Sequence, residues 1–195
     1  MDRLIAGYRR FRDDTWPLQR ARYQALAEAG QRPHTMVVAC SDSRVDPATV
    51  FDAGPGELFV VRNVAALVPP WQSGGGYHGT SAALEFGVRM LGVQRLVVMG
   101  HAQCGGIHAM LHGAPSAAQD FVVPWMAIAR DAVRPGLSET EAEAAVVRLS
   151  LANLRTFPWI AAAEAAGTLN VMGMQFDIHT GILSELDDTG FIAVR

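Results

Sequence analysis

Four short apolar runs constrain what this chain can fold into more than anything else in its sequence. They are Thr35-Met-Val-Val-Ala-Cys40, Glu57-Leu-Phe-Val-Val-Arg62, Arg95-Leu-Val-Val-Met-Gly100 and Asn170-Val-Met-Gly-Met-Gln-Phe-Asp177. Runs of this length, β-branched and without alternation, are typical of strands buried on both faces, as in a parallel sheet. Helical patterns separate them, at residues 80–91, 106–111, 121–131, 139–153 and after Pro158. Alternating strand and helix predicts an α/β fold: a mostly parallel central sheet of four to five strands flanked by helices. Gly181 turns the chain toward the possible fifth, an edge strand. Ahead of the sheet, residues 2–13 and 16–29 carry apolar positions at helical spacing, and Gly30 ends the second run. The expected organisation is therefore an N-terminal helical arm over residues 1–30 and one α/β domain over residues 31–195. Ser73-Gly-Gly-Gly-Tyr77 reads as a loop and not as a nucleotide fingerprint.

Composition removes several function classes. Every one of the 16 basic residues is arginine, which excludes Schiff-base chemistry and a phosphate-loop lysine. A formal charge of −3 over mixed-sign helices offers no basic stripe for nucleic acid. No apolar run is long enough for a bilayer, and the N-terminal residues mix Arg and Asp through their apolar positions, unlike a secretory signal. The expectation is a soluble, cytoplasmic protein with neither nucleic acid nor membrane as partner.

Only two cysteines occur, Cys40 and Cys104. Without an export signal a disulfide is a poor default, so metal or nucleophile chemistry comes first. Cys40 closes the first strand, and His101 and Cys104 lie in the loop closing the third. The C-terminal ends of neighbouring parallel strands converge, and ligands bind there. One His-x-x-Cys pair plus a distant cysteine gives three ligands suited to zinc, with the fourth tetrahedral position left for water, which is an open, catalytic arrangement. Other readings stay open: two buried cysteines beside a turn histidine, or a cysteine nucleophile with His101 as base, which leaves the second cysteine and the neighbouring Asp42 and Arg44 without a role.

Ala39-Cys-Ser-Asp-Ser-Arg-Val45 together with Gly100-His-Ala-Gln-Cys-Gly-Gly106 closely resembles the two signature motifs of the β-class carbonic anhydrases, nearest to the plant-type subgroup. Further segments that resemble family landmarks are residues 55–63, 67–70, 79–85 and 176–181, so the resemblance runs from about residue 31 to residue 181. It implies a lyase that hydrates carbon dioxide reversibly to bicarbonate and a proton. It implies one zinc ion per subunit on Cys40, His101 and Cys104. Asp42 and Arg44 match a catalytic gating pair: held by Arg44, Asp42 stays off the metal, and released, it becomes a fourth ligand that closes the site.

Plant-type members line the substrate pocket across a dimer interface, and the matching positions are Gln31, Phe59, Val64 and Phe86, the last replacing a tyrosine. Backbone N–H groups at Gly105 and Gly106 could orient an oxygen of the substrate. In another subgroup bicarbonate closes the site beside a tryptophan; Val37 stands there in this chain and Phe176 at the associated tyrosine, so no such site is expected. Family members build homodimers and multiples of dimers, and the arm would wrap the neighbouring subunit. Some relatives instead hydrolyse carbonyl sulfide or carbon disulfide, and a permanently closed zinc or bicarbonate-sensing module is the non-enzymatic alternative. Of the remaining histidines, His34, His78, His108, His112 and His179, none stands out as a proton shuttle, although His34 precedes the first strand. His108 and His112 have metal-pair spacing but no carboxylate between them.

Overall fold

The structure, a computed structural model, describes residues 2–74 and 77–194. The expected glycine loop therefore falls partly outside the described residues, at Gly75 and Gly76. Six strands form one sheet in the order β2-β1-β3-β4-β5-β6. The first four, β1 (Thr35–Cys40), β2 (Leu58–Asn63), β3 (Arg95–His101) and β4 (Asn170–Phe176), run parallel; β5 (Leu183–Leu186) and β6 (Phe191–Ala193) pair antiparallel at the far edge. The sheet thus exceeds the four to five strands expected from sequence and is mixed. The two edge strands span four and three residues; β5 pairs with β4 and β6 pairs with β5, and this pairing rather than their own composition defines them.

Alternate residues of the central strands feed two cores. Met36, Val38, Leu96 and Val98 pack against Val147 and Leu154 of α7 (Glu139–Leu154), Ile160 of α8 (Pro158–Ala165) and Phe157 between the two helices. Val37, Ala39, Val97 and Met99 face the other way, against Val50 and Phe51 around the short helix α3 (Pro47–Val50). α7 lies on the sheet at glycines: a Cβ at Gly100 would meet Val147 at 2.8 Å, and one at Gly173 would meet Val147 at 2.7 Å and Leu151 at 3.0 Å. Ser138 caps α7 by accepting from the Glu141 N–H, and the Glu141 carboxylate accepts from the Ser138 N–H, a closed capping box.

The arm is α1 (Asp2–Arg10) and α2 (Trp16–Ala29), joined through a π-helical turn at Phe11–Thr15 where the sequence suggested two separate helices. None of its residues is buried, and Leu4, Ile5, Tyr8 and Leu18 are exposed. It touches its own domain at Arg22, which donates to Pro55 O and pairs with Glu57 at 2.8 Å. Leu26 sits against Gly56, whose φ of 82° and crowding both call for glycine. Among the described residues no helix is long and apolar enough to cross a membrane.

Strand order reverses at β1, which has β2 on one side and β3 on the other. A crevice opens at such a switch point, beyond the carboxyl ends of the strands. Cys40 and His101 are the last residues of β1 and β3. The remaining helices are α4 (Gly79–Glu85), α5 (Gly105–His112) and α6 (Val122–Met126), and α5 starts from the loop that leaves β3.

Candidate metal centre

Cys40, His101 and Cys104 come together, all three buried, with their ligand atoms within 4.8 Å of one another. The two sulfurs stand 3.9 Å apart; two thiolates on a single tetrahedral metal would stand about 3.8 Å apart. His101 Nδ1 donates to Ala102 O at 2.9 Å, which leaves Nε2 as the free acceptor. That Nε2 is buried and has no hydrogen-bond partner. An orphaned buried nitrogen aimed at two sulfurs is costly in an apolar site but is the donor set of a borderline or soft divalent cation.

The thiols are tuned in opposite directions by their mutual contact. Cys40 is lowered, first by the hydrogen bond to Cys104 and further by His101 and by the backbone of Asp42 and Ala65, with burial opposing. Cys104 is raised, first by Cys40 and then by burial, while the N–H groups of Ile107 and Gly106 act against that rise. Of the two coupled thiols, Cys40 is thus the one that more readily gives up its proton. The Gly106 N–H therefore serves the Cys104 sulfur. A Cβ at Gly106 would meet Val64 at 2.9 Å and Ala65 at 3.1 Å, so glycine is needed for this approach. Gly105 has open space at its Cα.

Asp42 and Arg44 form a two-point pair. Arg44 Nε donates to Oδ1 at 2.9 Å and Nη2 to Oδ2 at 2.7 Å, and the Arg44 N–H adds a third bond to Oδ1. These bonds hold the Asp42 carboxyl well below the usual carboxylate range, against the desolvation of the site. Oδ2 stays 4.0 Å from His101 Nε2. Arg44 Nη2 also donates to Gln103 O, tying the Asp42–Arg44 pair to the loop that carries Cys104.

Two residues that sequence reasoning missed hold this arrangement. Arg62 donates to Cys40 O, to Asp42 O and to Asp46 Oδ2, clamping the loop after β1. A lone arginine near the end of an apolar strand was the available signal. Glu143, only 3% exposed, accepts from the Gln103 N–H at 2.8 Å and from Gln175 Nε2. Burial raises its carboxyl, opposed by the Gln103 and Cys104 backbone. Gln103 sits at φ 57°, a conformation rare outside glycine, and its flanking bonds to Glu143 and Arg44 maintain it. Nothing in the sequence marks Glu143 apart from the other glutamates of α7.

The expected pocket residues do not meet in one chain. Val64 lines a cavity of about 1220 Å³ walled by Trp71, Trp125, Phe121, Thr80 and others, and Gln31, Phe59 and Phe86 do not line it. Phe59 and Phe86 stack on each other, with ring centres 5.7 Å apart. Gln31 is exposed just before β1. Val37, at the position of the tryptophan in the bicarbonate-closed subgroup, is fully buried within β1.

The family model for carbonic anhydrase matches residues 35–183. A carbonic anhydrase of Pseudomonas aeruginosa is 37% identical over 193 residues, covering 94% of this chain and 86% of the relative. The structure of the β-carbonic anhydrase CcaA superposes with a TM-score of 0.90 at 29% identity, covering 100% of this chain and 99% of that chain. One of two tetrameric β-carbonic anhydrases from the ascomycete Sordaria macrospora gives a TM-score of 0.72 at 26% identity, covering 100% of this chain and 95% of that chain. With the family match spanning the four parallel strands and Cys40, His101 and Cys104 brought together at their switch point, the chain belongs to the β-class carbonic anhydrases.

Proposed function

We propose that this enzyme hydrates carbon dioxide reversibly with one zinc ion held by Cys40, His101 and Cys104, and that Asp42 is its catalytic partner. The single observation that carries the reading is the two-point Arg44–Asp42 contact beside three buried, converging donors. Zinc, when held there, lowers the pKa of a bound water from about 15.7 to roughly 7 and so supplies a hydroxide nucleophile near neutrality. Arg44 keeps Asp42 anionic and off the metal. Asp42 Oδ2 is then placed to accept a hydrogen bond from the reacting water, orienting its oxygen toward carbon dioxide. The amides of Gly106 and Ile107, and those of Asp42 and Ala65, disperse the charge of the two sulfurs, which offsets the loss of cation charge that two thiolates would cause.

The substrate pocket is proposed to be shared between two subunits. Val64 and the Gly105–Gly106 start of α5 stand beside the metal centre, whereas Gln31, Phe59 and Phe86 lie away from the Val64 cavity and would reach a site only on a second copy. Phe86 keeps an apolar wall without a hydroxyl. The unburied arm supports the same assembly, a homodimer or a multiple of dimers, as does the tetrameric relative.

Stopped-flow carbon dioxide hydration by the zinc-loaded protein tests the reading, with Cys104→Ser as the inactive control. Turnover of carbonyl sulfide or carbon disulfide in preference to carbon dioxide would reassign the substrate. Stoichiometric zinc with no turnover of any of these at alkaline pH would make the protein a sensing module instead.

A further inference from the structure

His108 and His112 are one helical turn apart on α5, with ring centres 4.5 Å apart. Residues four apart share a helix face, and two histidines so placed can grip one cation. The sequence supplies no carboxylate between them, but the fold brings one from another helix. Glu139, the first residue of α7, places Oε1 2.8 Å from His108 Nδ1 and 4.0 Å from His112 Nε2. The three ligand atoms lie within 4.8 Å of one another. Among the described residues the only ion-pair contacts of Glu139 are to these two histidines.

We infer that His108, His112 and Glu139 form a second binding site for a divalent transition cation of the zinc class, separate from the Cys40–His101–Cys104 centre. Two imidazoles and one carboxylate are a zinc donor set in which water completes the tetrahedron. Bonds of about 2.0–2.2 Å at tetrahedral angles set donors roughly 3.3 Å apart. The observed 2.8 and 4.0 Å bracket that spacing, so side-chain torsion changes of the two exposed histidines and of the partly exposed Glu139 suffice and the backbone need not move. The hard–soft character differs from the buried centre: without sulfur, this site suits zinc, nickel or copper and has no special preference for soft ions.

Position gives the cation a structural consequence. α5 begins one residue after Cys104, and α7 carries Glu143, which holds Gln103. A cation on His108, His112 and Glu139 therefore cross-links the two helices that flank the Cys104 loop. It would bind the native state and not the unfolded chain, and so raise the melting temperature.

Titration of the full-length protein with Zn2+, after dialysis against metal-free buffer, is expected to show one more equivalent per chain than the His108→Ala/His112→Ala double variant shows. Glu139→Gln, which keeps the side-chain volume, is expected to weaken that equivalent by roughly tenfold or more. His179→Ala, an exposed histidine elsewhere, should leave it unchanged, and excess Zn2+ should raise the melting temperature of the parent but not that of the double variant. Equal Zn2+ uptake by the parent and the double variant overturns the site. An extra equivalent that survives Glu139→Gln at full affinity overturns the three-ligand assignment. Because the difference is read between chains that both keep Cys40, His101 and Cys104, loss of the buried centre would lower both counts and leave this comparison intact.

Discussion

At the residue scale, the proposed gate is the contact of Arg44 with Asp42. The Arg44 guanidinium occupies both carboxylate oxygens and anchors on Gln103 O. Arg44→Ala is expected to keep stoichiometric zinc while kcat/KM for carbon dioxide falls by about a hundredfold or more, because the freed carboxylate can move onto the metal. Metal analysis beside stopped-flow rates checks this; loss of zinc would show that Arg44 builds the site and does not gate it. Glu143 acts one step further out. Truncation to Ala removes the acceptor of two part-buried hydrogen bonds, from the Gln103 N–H and the Gln175 amide, at a cost of about 1–3 kcal/mol by chemical denaturation. Glu143→Gln should recover much of that stability, since its amide oxygen can still accept from Gln103. These two residues differ in legibility for a physical reason. Arg44 is two positions from Asp42, so its partner is visible in the sequence. Glu143 reaches Gln103 across 40 residues, and a glutamate on a helix reads as a solvated one until the helix has been docked.

At the element scale, the closeness of α7 to the sheet depends on Gly100 and Gly173. Ala at either position meets Val147 below 3.0 Å, and each substitution is expected to cost about 1–3 kcal/mol through overpacking, measured by thermal or urea unfolding. The capping box at the start of α7 predicts a pH signature. Glu141 is held below its ordinary value by the Ser138 side chain first and the Ser138 backbone second. A depressed carboxyl stabilises the fold above its unfolded pKa, and that contribution disappears as pH falls through the lower folded value. The stability difference between the parent and Glu141→Gln should therefore be present at neutral pH and vanish on acidification below about pH 4; a difference constant across that range would refute the cap. Ser138→Ala should cost about 1 kcal/mol. The same scale explains the strands. β1 to β4 announce themselves by apolar runs rich in β-branched residues, whereas β5 and β6 are short, partly exposed segments: β5 pairs with the free edge of β4, and β6 pairs with β5.

For the whole molecule, the arm is the clearest expectation. The helix pair has no buried residue, exposes Leu4, Ile5, Tyr8 and Leu18, and meets its own domain at Arg22 and Leu26. Deletion of residues 2–29 is expected to shift the protein to smaller species in light scattering and to lower activity together with assembly. A fully active monomer would sink the shared pocket. The sequence by itself determined the parallel sheet, the three converging metal donors and the adjacency of Asp42 and Arg44, because each rests on local pattern: buried strands are continuous apolar runs, and ligands at the ends of neighbouring strands meet wherever the sheet forms. Tertiary structure alone decided which distant groups support the site, namely Arg62 across the strand order and Glu143 from α7, and that Glu139 completes a cluster with His108 and His112. Those contacts join residues far apart in the chain: the pairing of β2 with β1 brings Arg62 to the loop after Cys40, and the docking of α7 against β3 and α5 brings in Glu143 and Glu139.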